Sequence, residues 1–171
     1  MRVVGIDPGA LTGWALVDCS SNPPRVLDSG TEPREAFYEA RRPNAEHAAR
    51  WWNDADAYAI QVPFVLGDDA KVPVWNRASC VSLSKQSAAA YRLVGALENW
   101  AHVPVVVIPP LRGIGAKMPV SVWAKVFRYA GRMPSEHARD AAAVAVHAIA
   151  MIEAHARLWP NSSREKGTTW R

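Results

Sequence analysis

The stretch of sequence that decides the fold is residues 2–18, which read RVVGIDPGALTGWALVD. Its first part, Arg2 to Asp7, is a short apolar run with the β-branched residues that favour a buried strand. Pro8-Gly9-Ala10 has the composition of a turn, and Thr12 to Asp18 is apolar again. The stretch therefore predicts a hairpin of two antiparallel strands, with Asp7 at the end of the first.

The rest of the chain continues this hairpin into an alternation of strands and helices. Further strands are predicted over 25–31, 57–61 and 103–108, and helices over 44–55, 77–100, 120–129 and 136–158. An antiparallel opening followed by β-α-β crossovers predicts one α/β domain over residues 1–158, with a mixed five-stranded sheet and helices on both faces. Residues 159–171 have the composition of a flexible basic tail.

Length and cysteine content limit the class of protein. The 171 residues are enough for one domain with its own core. Cys19 and Cys80 belong to no Cys-x-x-Cys or Cys/His spacing, so we expect two reduced thiols and no zinc site. The apolar run after Met1 is too short for a signal sequence, and no run has the length of a membrane span. We therefore expect a cytoplasmic protein without a membrane partner.

Charge is distributed unevenly along the chain. Residues 1–70 contain six Lys or Arg against eleven Asp or Glu, whereas residues 71–132 contain nine Lys or Arg against one acidic residue, Glu98. A basic block within a folded region is typical of a surface that binds a polyanion such as DNA. The alternative is a solvated cationic face that serves only solubility.

Three residues have the chemistry of metal ligands. A carboxylate at the end of a buried strand, such as Asp7, requires a cation or hydrogen-bond donors, although an Asp before Pro-Gly also caps turns. His137 and Asp140 lie three residues apart in the first turn of the last predicted helix, for which Ser135 is a possible cap. Their side chains share one face and can converge on one ion, although such a pair also serves as a simple helix cap. Carboxylates suit Mg²⁺ or Mn²⁺, and an imidazole shifts the preference towards Mn²⁺.

These motifs occur together in a known family. The run Gly5-Ile6-Asp7-Pro8-Gly9, followed by Thr12-Gly13, resembles the opening of the RuvC-like Holliday-junction resolvases, crossover junction endodeoxyribonucleases of the ribonuclease H-like superfamily. The segment His137-Ala138-Arg139-Asp140-Ala141 resembles the final acidic motif of that family, in which some members carry His in place of the first Asp. Tyr58 to Phe64 is similar to the short strand that ends in the second catalytic residue, normally Glu. The resemblance spans residues 2 to 155.

The resemblance implies a ribonuclease H-like fold and a function in DNA recombination or repair. It implies a homodimer that nicks a four-way junction symmetrically, by hydrolysis with two Mg²⁺ or Mn²⁺ ions per site, in a bacterial or phage-infected cell. The catalytic and metal-binding positions correspond to Asp7, Gln61, His137 and Asp140. Asp7 is the expected bridge between the two ions, with His137 and Asp140 on one ion and residue 61 on the other. No small-molecule cofactor is implied.

The basic block supplies the expected contacts to DNA. The cations predicted to bind phosphates are Arg77, Lys85, Arg92, Arg112, Lys117 and Lys125. Phe64 and Trp75, in the predicted loop after residue 61, are candidates to wedge or stack at the centre of the junction. An equal alternative is that these two aromatic residues anchor the loop on the core.

Position 61 departs from the family pattern. Gln61 keeps the size of Glu but has no negative charge, so it is a poor ligand for a hard dication and cannot act as a base. We expect low or absent cleavage by the chain as it stands. Three explanations remain open: a deliberate inactivating substitution, a natural junction-binding protein that has lost cleavage, or a different alignment in which Asp68 or Asp69 serves.

Two other functions compete with a resolvase. Sugar kinases and actin-like ATPases of the same superfamily share the Asp-x-Gly hairpin, but they need two such domains, which 171 residues cannot contain. A non-catalytic module that binds branched DNA is the more serious alternative. It predicts tight junction binding without metal-dependent cleavage, even after Gln61→Glu.

Overall fold

The structure is a computed structural model that describes residues 1–35, 55–62, 77–100, 103–109, 118–158 and 169–170. The helix predicted over 44–55 lies, apart from Ala55, outside these residues. The strands are β1 (Arg2–Asp7), β2 (Leu11–Asp18), β3 (Arg25–Pro33), β4 (Ala57–Gln61), β5 (Val105–Ile108) and β6 (Thr169–Trp170). The helices are α1 (Arg77–Trp100), α2 (Val120–Val126) and α3 (Glu136–Leu158). None of these helices is long and apolar enough to cross a membrane.

The strands form one mixed sheet in the order β3-β2-β1-β4-β5-β6. The first three strands are antiparallel neighbours, whereas β4, β5 and β6 continue the sheet in parallel from β1. The predicted α/β class, the mixed sheet and all five predicted strands are confirmed. The short sixth strand, Thr169–Trp170, was not predicted, because two residues of a polar tail carry no alternating pattern.

Two predicted boundaries shift for local reasons. The strand predicted from Val103 begins at Val105, because Pro104 has no N–H to donate to the sheet and instead accepts a hydrogen bond from the Tyr58 amide. The helix predicted to reach residue 129 ends at Val126, since Arg128 takes a positive φ of 45° that helical geometry excludes.

Alternation along the strands divides the core into two layers. From β1, Val3 packs in a cluster with the alanines of α3 and with Trp123 of α2, whereas Val4 and Ile6 pack on the other side of the sheet. That second cluster contains Leu93, Val94 and Leu97 of α1. Helices therefore cover both faces of the sheet, as predicted.

The approach of α3 to the sheet is unusually close and has a simple cause. Gly5 of β1 lies under Ala141, so a Cβ at position 5 would overlap the Ala141 carbonyl oxygen and lie 2.8 Å from the Ala145 amide nitrogen. Gly13 of β2 lies in the same way under the backbone of His137. At both positions the missing side chain of glycine lets the strand backbone touch the helix backbone, which fixes the start of α3 relative to β1 and β2.

The two cysteines were predicted to be reduced thiols. Cys19 is free and partly buried, and burial raises the pKa of its thiol to about 12, so it stays protonated at neutral pH. The side chain of Cys80 lies outside the described part of the chain.

Candidate active site

Strand register places Asp7 and Gln61 side by side. Ile6 of β1 pairs with Ile60 of β4 in parallel register. The next residues, Asp7 and Gln61, are the last of their strands and therefore follow this pair side by side. Ile6 and Ile60 face α1, and alternation therefore turns Asp7 and Gln61 towards the face that α3 covers. Neighbouring strands are about 4.8 Å apart, so the two side chains start from adjacent positions at one edge of the sheet.

The first turn of α3 brings His137 to the same edge. Ser135 precedes the helix and caps it, since its hydroxyl oxygen accepts a hydrogen bond from the Ala138 amide at 3.2 Å, as its sequence position predicts. Nδ1 of His137 lies 3.0 Å from Oδ2 of Asp7. Because a carboxylate only accepts hydrogen bonds, Nδ1 carries the proton in this contact. The Asp7 side chain is 19% exposed and that of His137 49%, so the pair lies at the border between core and solvent.

The electrostatics of Asp7 reflect this position. Burial raises the pKa of the Asp7 carboxyl above its usual value, the hydrogen bond from His137 opposes this, and the nearby negative charge of Asp140 raises the pKa further. Asp140 is therefore close enough to Asp7 for the two carboxylates to repel. Three of the four residues implied by the resemblance thus interact, and Gln61 lies beside them on the neighbouring strand.

We predict that Asp7→Asn stabilises the protein at neutral pH. The pKa of the Asp7 carboxyl in the folded state lies above the usual 3.8. The folded state is therefore stabilised by the bound proton in acid, and this stabilisation is lost as the pH rises through the folded-state pKa. Asparagine is neutral at every pH and avoids this loss. Thermal melts should show a higher midpoint for Asp7→Asn at neutral pH and a smaller difference at about pH 4.

The matched control is Asp18→Asn, for which the sign is opposite. Hydrogen bonds from the hydroxyl and amide of Ser20 hold the pKa of the exposed Asp18 carboxyl below its usual value. Asp18→Asn should therefore lower the midpoint at neutral pH, with a difference that fades in acid. A fall in the midpoint of Asp7→Asn at neutral pH would contradict the assignment of Asp7 as a destabilising buried charge.

The site fits a divalent ion only in part. Oδ2 of Asp7 and Nδ1 of His137, 3.0 Å apart, have the separation of adjacent ligands around an octahedral ion with bonds of about 2.1 Å, although Nδ1 would have to give up the proton of this hydrogen bond to bind the ion. Within the described ranges, however, no three His, Cys, Asp or Glu side chains are placed to hold a metal ion. Gln61 adds only a neutral amide oxygen. The residues present therefore do not fit the two-ion centre that the resemblance implies.

The predicted DNA contacts are only partly described. Arg92 is exposed on α1 and Lys125 is exposed on α2, and these helices cover opposite faces of the sheet. The side chains of Arg77 and Lys85 lie outside the described residues, as do Arg112, Lys117, Phe64, Trp75, Asp68 and Asp69. A single basic surface therefore stays a prediction.

Sequence reasoning missed the contact of Gly13 with α3. Gly13 is opposite Asp7 in the β1–β2 pairing, and a Cβ there would collide with the backbone of His137. The signal was a glycine inside an apolar strand, which often marks the close approach of another backbone.

The comparisons with known proteins bear on the fold. No protein-family model matches the chain, and no curated protein matches it. The structure of Thermus thermophilus RuvC in complex with a Holliday junction substrate is similar with a TM-score of 0.59 and 17% identity, over 90% of this chain and 96% of that chain. A second Thermus thermophilus RuvC structure gives a TM-score of 0.54 and 15% identity, over 91% of this chain and 97% of that chain. The chain therefore has the fold of these RuvC structures, an α/β fold of the ribonuclease H-like type.

Proposed function

We propose that this chain binds four-way DNA junctions as a homodimer, and that it is a metal-dependent DNA endonuclease whose cleavage is impaired by Gln61. The observation that carries the proposal is the convergence of residues distant in sequence. Asp7 and His137 are 130 residues apart and are hydrogen-bonded at the sheet edge where β4 ends in Gln61. A capping role alone would not require this convergence.

Two observations support DNA binding, and a symmetry argument accompanies the proposed homodimer. A RuvC protein with the same fold over 90% of this chain has been solved with a Holliday junction substrate. Residues 71–132 contain nine basic residues and one acidic residue, and four of these cations are exposed in the described part of the chain: Arg92, Lys125, Arg128 and Arg132. A four-way junction has two-fold symmetry, which a C2 dimer with one site per protomer would match.

The argument for impaired cleavage concerns charge. Two-ion phosphodiester hydrolysis needs carboxylates to hold the cations, and Gln61 contributes none at the position where the family resemblance places Glu. A carboxylate at position 61 would add a third acid next to Asp7 and Asp140. The Asp7–His137 pair is already in place, so this single charge is the largest missing part.

A non-catalytic junction-binding protein is the second candidate. The observation that favours it is that, in the described part of the chain, no three donor side chains are placed to hold a metal ion. On this alternative the Asp7–His137 contact is a structural link between β1 and α3.

The test of the proposed function is a binding comparison on the chain as it stands. A four-way junction and a linear duplex assembled from the same sequences are titrated with protein without divalent metal. We expect at least about tenfold tighter binding to the junction, two chains per junction, and an affinity that falls steeply with salt. Equal affinity for junction and duplex would reject a junction-specific function.

A further inference from the structure

Arg139 is a buried cation for which the proposed cleavage chemistry has no use. It follows His137 and precedes Asp140 on α3, yet it is only 7% exposed. In the described part of the chain its Nε atom is buried and has no hydrogen-bond partner. Its Nη2 atom lies 4.0 Å from Oε1 of Glu136, whose side chain is 81% exposed. Among the residues that the structure describes, this buried guanidinium has one long contact to a solvated acid, which is fewer partners than such a charge requires.

The place of Arg139 in the helix makes this cost larger. The N-terminus of a helix carries partial positive charge, so an Arg in the opening turns of α3 opposes the helix dipole. The hydrogen bond that α2 makes to this residue does not involve the guanidinium either. The neighbouring Trp123 donates its indole N–H to the main-chain carbonyl of Arg139, at 3.3 Å, which any residue at this position would offer.

The direction of the side chain indicates which ligand it suits. The contact with Glu136, the first residue of α3, shows that the guanidinium reaches back along the helix to its N-terminal end. His137 meets Asp7 at that same end. An anion there would receive the planar N–H donors of Arg139 in addition to the favourable helix dipole.

We propose that Arg139 binds a phosphate group at the N-terminal end of α3. Glu136 occupies the outer side of the guanidinium and gives way to the phosphate. That the phosphate belongs to DNA, close to the Asp7–His137 pair, rests on the proposed function. The binding of a phosphate group by Arg139 does not depend on the proposed function.

The first test uses inorganic phosphate and thermal melts. Phosphate at about ten times its dissociation constant should raise the midpoint of the chain by about 4 °C over chloride at equal ionic strength. Arg139→Met should lose this shift and, without phosphate, melt at the same temperature or higher, because an apolar side chain suits a buried position. Glu136→Gln should enlarge the shift, since it removes the competing carboxylate.

The matched control is Arg132→Met, which removes an exposed cation from the turn before α3. It should keep the full phosphate shift. A phosphate shift in Arg139→Met equal to that of the unmodified chain would overturn the proposal. A lower midpoint or misfolding of Arg139→Met would also overturn it, because it would assign the side chain to structure. No phosphate shift in the unmodified chain would count against the site directly.

The second test separates this proposal from the proposed function. The Arg139→Met variant should bind junction DNA about tenfold more weakly than the unmodified chain. The slope of its log affinity against log salt concentration should be smaller by about one. The Arg139→Lys variant should recover part of the lost affinity. If the chain does not prefer junctions but Arg139→Met still loses the phosphate shift, the proposed function fails and the phosphate site stands. If junction binding holds and Arg139→Met binds like the unmodified chain, the DNA role of Arg139 is rejected.

Discussion

Gln61→Glu is expected to turn a protein that binds four-way junctions into one that cuts them when Mg²⁺ or Mn²⁺ is supplied. The substitution keeps the side-chain length and adds one negative charge at the end of β4, beside Asp7 on β1. Three carboxylates and one imidazole would then surround the sheet edge, which is the donor chemistry that a two-ion centre needs. We expect an increase in cleavage rate on the order of 10²- to 10³-fold, as for other single groups that stabilise charge at a reacting centre.

The measurement is a gel assay on a synthetic junction, in which the products should be paired nicks placed symmetrically on opposing strands. Asn22→Asp makes the same change from amide to acid in the exposed turn between β2 and β3, away from Asp7, and should not cut. The double variant Asp7→Asn with Gln61→Glu should also be inactive. An uncut junction with Glu at position 61 would favour the non-catalytic alternative.

Gly5→Ala is expected to cause the largest loss of stability from a single methyl group. The added Cβ would overlap the Ala141 carbonyl oxygen and approach the Ala145 amide nitrogen to 2.8 Å. Both atoms belong to helix backbone and cannot rotate away, so α3 must move as a unit. Overpacking usually costs about 1–3 kcal/mol, and we expect about 3 kcal/mol here, which corresponds to a midpoint lower by about 9 °C.

Gly95→Ala on α1 provides the control for the same change. A Cβ at position 95 meets no heavy atom of the described residues within 4 Å, so this substitution should instead stabilise the helix by about 0.5–1 kcal/mol. Thermal melts of both variants, followed by circular dichroism, test the contact between β1 and α3. Equal midpoints for Gly5→Ala and the unmodified chain would show that α3 does not lie this close to the sheet.

Sequence patterns predicted the elements that depend on local physics. The strand over 57–61 was predicted with the bounds it has, because a short apolar run that includes Tyr58 and Ile60 lies between the polar residues before it and Pro63 after it. The placement of Asp7 and Gln61 on one face also follows from the two-residue period of strands, once β1 and β4 are neighbours.

What could not be predicted depends on contacts between distant segments. Pairing of Thr169–Trp170 with β5 has no local signature. The buried state of Arg139 depends on the surroundings of α3, whereas its sequence position resembles a solvated helix start. The geometry of a metal centre could not be predicted either, since tertiary packing sets the positions of the ligands to within a few tenths of an ångström.

The glycine contacts under α3 have a consequence for how the site can change over generations. The positions of Asp7 and His137 relative to each other are fixed by the close contacts of Gly5 and Gly13 with the backbone of α3. Selection for folding alone therefore preserves the arrangement when cleavage is under no selection. Codons for Gln and Glu differ by a single base, so loss and recovery of the acid at position 61 are each a single mutational step in a lineage whose scaffold stays intact.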